Sequence, residues 1–286
     1  MLCNCTMLTL GVDFYTGGAV LGQYPQVAYD LMLTEISART PGLCVICTPY
    51  ELGTNHGEIA KECENAFEKA VQYISLKNGN SSISSENEND ANRIIPRFYV
   101  GHSLGAKLHV CKGNDSGKRG RHFLIAFNNA SASDSVKILE KFVKEILRKE
   151  GDGASSTNFD AIFARIVPLA EFAAKQAGFE FIPNAAETLN MVANKKFQSE
   201  RVTLLSFSND DLDQSASLRE ALADGEIRTS RAEIFGDHLS PVVLDLDKYA
   251  KVNPMFNRFG GVTIGDRVVV QKIVDDALLR SEEATE

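Results

Sequence analysis

Arg97-Phe98-Tyr99-Val100-Gly101-His102-Ser103-Leu104-Gly105-Ala106-Lys107-Leu108-His109-Val110-Cys111 is the stretch whose reading decides the fold. Arg97 to Val100 reads as a strand and Ser103 to Cys111 as a helix, and the two meet at Gly101-His102-Ser103-Leu104-Gly105. A serine at the tip of such a strand-to-helix turn takes a strained backbone conformation. Only small residues two places before it and two places after it avoid a clash, and Gly101 and Gly105 supply them. The stretch is therefore read as a nucleophile elbow with Ser103 at its exposed tip. Gly-x-Ser-x-Gly by itself is common by chance. The strand before it and the helix after it give it weight.

Outward from the elbow, strands and helices alternate, which predicts a mostly parallel sheet with helices on both faces. Leu8 to Tyr15 reads as a strand, followed by a Gly-rich turn and a helix from about Pro25 to Ala38. Leu43 to Thr48 is the next strand and Glu58 to Ile74 the next helix. Beyond the elbow, strands are predicted over His122 to Phe127, Val202 to Phe207 and Ala232 to Phe235, with a helix near Ser217 to Ala223. Together with the elbow this order predicts an α/β-hydrolase fold, as one domain over residues 1–286. The tract 77–92, rich in Asn, Ser and Glu, has too little apolar content to pack, and a disordered surface insertion is expected there. Residues 133–197 read mainly as helices, broken by Gly151-Asp152-Gly153-Ala154-Ser155-Ser156, and a helical cap over the site is expected from them.

With 286 residues, 44% hydrophobic and 24% charged, the chain has the composition of a globular protein with one sizeable core. Its formal charge of -8 argues against a surface that tracks phosphates, so nucleic acid is excluded as a partner. No apolar run approaches the roughly 20 residues that a membrane span needs. The first residues show no basic segment followed by an apolar one, so a secretory signal is not expected. The chain begins almost directly on its first predicted strand, and an upstream strand or targeting peptide stays an alternative. Six cysteines include the pairs Cys3-x-Cys5 and Cys44-x-x-Cys47. The second pair lies on a predicted strand, where residues three apart point to opposite faces and cannot chelate one ion. Buried, reduced thiols are expected, with no metal site.

A serine hydroxyl is a poor nucleophile and needs a base within hydrogen-bond reach, normally a histidine oriented by a carboxylate. In this fold the chain order is nucleophile, acid, base. Of the five histidines, His122 opens a strand too early, whereas His238 sits just past the last strand in Phe235-Gly236-Asp237-His238-Leu239-Ser240-Pro241. His238 is the expected base. The acid belongs at the end of the preceding strand, where Phe207-Ser208-Asn209-Asp210-Asp211-Leu212-Asp213 offers three carboxylates. If Leu212 plugs back into the core, Asp210 is the acid; Asp211 and Asp213 stay as alternatives. Donors for the developing oxyanion are expected from the backbone N–H of Leu104 and from the turn Thr16-Gly17-Gly18-Ala19, with Gly18 first and Ala19 second. The same turn supports a rival reading as a dinucleotide loop. That reading is weakened by Pro25, which stands where the motif needs a later glycine. It is weakened again by Cys47-Thr48-Pro49-Tyr50, which lacks a ribose-binding acid.

Phe14-Tyr15-Thr16-Gly17-Gly18-Ala19 with Gly22, Pro25 and Tyr29, then Thr48-Pro49-Tyr50 with His56, then Gly101 to Gly105, form one set. Phe127-Asn128-Asn129, Pro183 with Glu187-Thr188, Asp210 through Ser215, and Gly236 to Pro241 extend it. This set resembles an uncharacterised α/β-hydrolase-like family of cyanobacteria, algae and plants, a domain of unknown function. The resemblance covers nearly the whole chain apart from its polar insertions. It implies a photosynthetic host, and with it a chloroplast location; a soluble protein is expected, with the cytoplasm as the alternative location. The short N-terminus departs from the pattern, in which a leading strand is expected. The residues thus predict a serine hydrolase of a small-molecule ester or thioester, with no cofactor. The competing class is a non-catalytic protein of the same fold that binds a ligand or partner.

Overall fold

The computed structural model describes residues 11–19, 21–77, 96–112, 120–131, 180–223, 227–245 and 263–282. Six strands form one sheet: β1 (Gly11–Thr16), β2 (Leu43–Cys47), β3 (Arg97–His102), β4 (Arg121–Ile125), β5 (Arg201–Phe207) and β6 (Arg228–Ile234). Their order is β2-β1-β3-β4-β5-β6, and every neighbouring pair is parallel. Parallel strands require crossovers, and helices fill them. These are α1 (Pro25–Ala28) and α2 (Asp30–Arg39), α3 (His56–Lys77), α4 (Leu104–Cys111), α5 (Ala185–Ala193) and α6 (Ser215–Ala223). A last helix, α7 (Arg267–Glu282), follows a short antiparallel pair, β7 (Leu244–Asp245) and β8 (Thr263–Ile264). This is the α/β-hydrolase fold.

Alternation along each strand divides the core into two faces. Tyr15, Val45, Val100 and Leu205 meet Leu33 and Ile36 of α2 and Val270 and Ile273 of α7 on one face. On the other, Phe14 and Tyr99 meet α3, where Phe14 stacks on Phe67 with ring centroids 4.5 Å apart. Leu124, Val202 and Leu204 meet α4, α5 and α6. Full burial of each such side chain contributes about 2 kcal/mol. Cys44 packs under α3 and Cys47 against the opposite layer, as a spacing of three on a strand requires. Burial pushes the thiols of Cys44, Cys63 and Cys111 up to about 11.

The order of the strands places the site. From β1 the chain crosses to β2 on one side and then to β3 on the other, so the loops after β1 and β3 diverge to opposite faces. A crevice forms at the carboxyl ends of strands where the winding reverses in this way. Thr16-Gly17-Gly18 leaves β1 there, and Ser103 leaves β3.

Two elements differ from expectation. The helix expected from Pro25 to Ala38 is divided at Tyr29, whose backbone (φ -119°, ψ 14°) is not helical. Strand β6 begins at Arg228 rather than Ala232, because it is an edge strand of the sheet and its first residues, Arg228 to Arg231, carry no apolar pattern. The tract 78–92, the expected leading strand and residues 133–179 of the expected cap lie outside the described residues. Within 180–197, α5 starts on a capping box in which Asn184 and Glu187 each accept the other's backbone N–H at 2.9 Å.

Candidate active site

Ser103 joins β3 to α4 with φ 57° and ψ -121°, a region L-residues rarely enter. Such a conformation costs about 1–3 kcal/mol and persists only where the surroundings hold it. They do so through the backbone. Ser103 N–H donates to the Ile125 carbonyl at 2.9 Å, and the Ser103 carbonyl accepts from Ala106 N–H at 3.1 Å. A Cβ on Gly101 would stand 2.7 Å from Ala106 N. On Gly105 it would stand 2.5 Å from the Gly17 carbonyl oxygen and closer still to that of Thr16. The second glycine of the elbow is therefore needed because the turn after β1 lies directly on the first turn of α4. Gly105→Ala is expected to force the two apart and cost about 3 kcal/mol. Urea unfolding measures this, and a loss under about 1 kcal/mol would show that the contact yields easily.

His238 lies in the loop after β6, and its ring is bonded on both sides. Nε2 is 2.8 Å from Ser103 Oγ and Nδ1 is 2.8 Å from Asp210 Oδ2. A carboxylate only accepts, so Nδ1 carries the proton and Nε2 is left to accept from the serine hydroxyl. The Asp210 side chain is fully buried. Its second oxygen, Oδ1, accepts the Leu212 N–H at 2.9 Å. The structure thus brings together Ser103, His238 and Asp210, the residues read from the sequence.

Of the other two carboxylates of the turn, Asp213 is engaged elsewhere. Asp213 Oδ1 accepts from the N–H and the hydroxyl of Ser215, at 2.9 and 2.5 Å, and so serves the start of α6. Asp211 is exposed. Leu212 is not the inward plug expected of it: it is half-buried and belongs to none of the three apolar clusters. The turn is held instead by hydrogen bonds, including Asn128 Nδ2 to the Leu212 carbonyl at 3.0 Å.

The oxyanion expectation needs a similar correction. The Gly18 N–H donates to Tyr29 Oη at 2.9 Å and is engaged there rather than offered to a substrate. Leu104 opens α4, where the first N–H groups of a helix have no partner within it. Among the described residues, no hydrogen bond occupies the N–H of Leu104 or Ala19. Tyr29 also packs on Gly17, where a Cβ would approach its ring to 2.6 Å, and Tyr50 Oη donates to the Gly17 carbonyl at 2.9 Å. The glycines of this turn accommodate two tyrosines.

His102 was not singled out by sequence reasoning. Its Nδ1 is 2.8 Å from Tyr29 Oη and its Nε2 is 2.9 Å from the His238 carbonyl oxygen. Burial, and then the neighbouring His238, hold its pKa well below the usual imidazole range. The only available signals were its place beside Ser103 and the presence of Tyr29 among the residues that carry the resemblance. His122 is buried on β4, stacked on Tyr99 at 4.6 Å and bonded to Ser199 Oγ at 2.8 Å, away from the elbow. Among the described residues, no group of His, Cys, Asp or Glu is arranged to hold a metal ion, and no helix is long and apolar enough to cross a membrane.

Residues 5–265 match the family described as protein of unknown function DUF1350. No curated protein matches the chain. Among solved structures it is similar to the peroxisomal alpha-beta-hydrolase Lpx1 from Saccharomyces cerevisiae, at 10% identity over 99% of this chain and 88% of that one, with a TM-score of 0.46. It is similar also to the RedJ thioesterase of the prodiginine pathway in Streptomyces coelicolor, at 13% identity over 80% and 79% of the two chains, with a TM-score of 0.46. A third is alpha/beta hydrolase domain-containing protein 10 from mouse, at 12% identity over 93% and 90%, with a TM-score of 0.40. By its match over residues 5–265, the chain belongs to the DUF1350 family, an α/β-hydrolase-like family of unknown function.

Proposed function

We propose that this protein is a serine hydrolase of a small-molecule ester or thioester, with Ser103 as nucleophile, His238 as general base and Asp210 as the carboxylate that orients it. One observation carries the reading: a single imidazole stands 2.8 Å from both a strained serine hydroxyl and a buried carboxylate. A protein that only binds has no need of that alignment.

In this reaction Ser103 Oγ attacks the acyl carbon while its proton passes to His238 Nε2. Asp210 accepts from Nδ1–H throughout and stabilises the imidazolium. The carbonyl oxygen becomes an oxyanion held by the N–H of Leu104, at the positive end of α4, and by a second N–H from the turn after β1. With Gly18 engaged by Tyr29, that second donor is Ala19. The bond from the acyl carbon to the alcohol or thiol then breaks, and His238 returns the proton to the leaving group. Water repeats the sequence on the acyl-serine and releases the acid. This chemistry calls for no cofactor.

Turnover of short- and medium-chain nitrophenyl esters and acyl thioesters tests the reading. The wild type should release acid from one class or both, and Ser103→Ala should release none above background. Wild-type protein inert toward both classes would count against it.

A further inference from the structure

His102 stands between Gly101 and Ser103 with 2% of its surface exposed. The protons around it can be assigned from chemistry alone. Its Nε2 faces the His238 carbonyl, which can only accept, so Nε2 carries the proton. Burial keeps the ring neutral, which leaves Nδ1 as an acceptor. The Tyr29 hydroxyl must then donate to Nδ1, and its oxygen is left to accept the Gly18 N–H. Every donor faces an acceptor, and the chain runs one way: Gly18 N–H to Tyr29 hydroxyl to His102 Nδ1, then His102 Nε2–H to the His238 carbonyl. The opposite tautomer would set a bare nitrogen against a carbonyl lone pair.

This chain ties together three loops that are distant in sequence: the turn after β1, the elbow, and the loop after β6. Resting on the hydrolase reading above, these are the loops that carry the second oxyanion donor, the nucleophile and the base. Tyr29 is itself buried, with no exposed surface and its ring lodged against Gly17 at the break between α1 and α2. The geometry points to His102, acting with Tyr29, as the positioning residue that sets where the base loop and the oxyanion turn stand about Ser103. Neither side chain is given contact with a reacting atom. Each acts through backbone, His102 on the carbonyl of the base and Tyr29 on the amide one residue before Ala19.

A merely structural role predicts that any loss of activity follows loss of stability. A positioning role predicts that it follows which bond is lost. Glutamine at 102 can bring an N–H near the place of Nε2 and restore the bond to the His238 carbonyl; asparagine reaches only the place of Nδ1 and restores the bond to Tyr29. The experiment measures the rate of fluorophosphonate labelling at Ser103, with Tm, for the wild type, His102→Phe, His102→Gln, His102→Asn and Tyr29→Phe.

Because a shift of about 1 Å in reacting groups costs on the order of 10²-fold, His102→Phe should label about 10²-fold more slowly and His102→Asn nearly as slowly. His102→Gln should stay within about fivefold of the wild type, and Tyr29→Phe should fall about tenfold. Where ester turnover is found, kcat should fall with KM nearly constant. Labelling of His102→Phe within about threefold of the wild type, or rates that follow Tm whichever bond is restored, would overturn the proposal. If His102→Phe does not fold, the comparison of glutamine with asparagine makes the same decision. A wild type that does not label at all sinks the hydrolase reading instead. Imidazole ¹⁵N spectra then decide the positioning proposal alone: Tyr29→Phe should disturb the His102 tautomer and shift the His238 ring signals, and unchanged His238 signals would overturn it.

Discussion

Replacing His238 by alanine is expected to lower kcat on ester or thioester substrates by a factor on the order of 10³ or more, with KM nearly unchanged. The reason lies in the pair of bonds made by its ring. Without Nε2 at 2.8 Å, the Ser103 hydroxyl has no acceptor for its proton and attacks as a poor nucleophile. Binding of the acyl group is left largely intact, because the base acts on the transition state rather than on the bound substrate. Steady-state kinetics beside Ser103→Ala checks this, since residues acting as a unit should show losses of similar size. Turnover surviving in His238→Ala would transfer the base to another group and favour the binding-protein class.

Asp210→Asn is expected to reduce kcat by a factor on the order of 10³, and the hydrogen bonds of the turn say why. Asp210 Oδ1 accepts the Leu212 N–H, so the asparagine must keep its carbonyl oxygen there and turn its NH₂ toward His238 Nδ1. A donor in that place forces Nδ1 to accept and puts the ring proton on Nε2, where it faces Ser103 and blocks proton transfer. Asp213→Asn, by contrast, disturbs the start of α6 and should cost about 1 kcal/mol of stability with turnover nearly unchanged. Asp211→Asn should change little, because the residue is exposed. Kinetics and thermal unfolding of the three variants side by side separate these roles. A larger kinetic loss in Asp213→Asn than in Asp210→Asn would reassign the acid.

What could be read in the sequence was what local rules govern. Gly101 and Gly105 mark the elbow because nothing larger fits at the positions two before and two after Ser103, and alternating elements fix the layer architecture. Chain order then points to His238 and to the turn holding Asp210, which the fold brings beside Ser103. Contacts between distant segments were not legible. The hydroxyl of Tyr29 meets the Gly18 amide and a histidine 73 residues away, and no local pattern announces either bond. For the same reason the break at Tyr29 was missed: a helical periodicity runs through it, and a tertiary contact overrides the propensity. Leu212 shows a further limit, since an apolar side chain two residues after the acid suggests a plug where hydrogen bonds hold the turn.

The most direct test of a Ser103-centred triad is labelling of the wild-type protein with a fluorophosphonate, followed by identification of the modified peptide by mass spectrometry. Such a probe reacts with a serine only when a neighbouring base draws off its proton. The expected result is one adduct per chain, on Ser103, absent from Ser103→Ala and strongly reduced in His238→Ala, with Ser103→Ala keeping its stability within about 1 kcal/mol. Wild-type protein that stays unlabelled, or labelling that persists undiminished in Ser103→Ala, would contradict the triad.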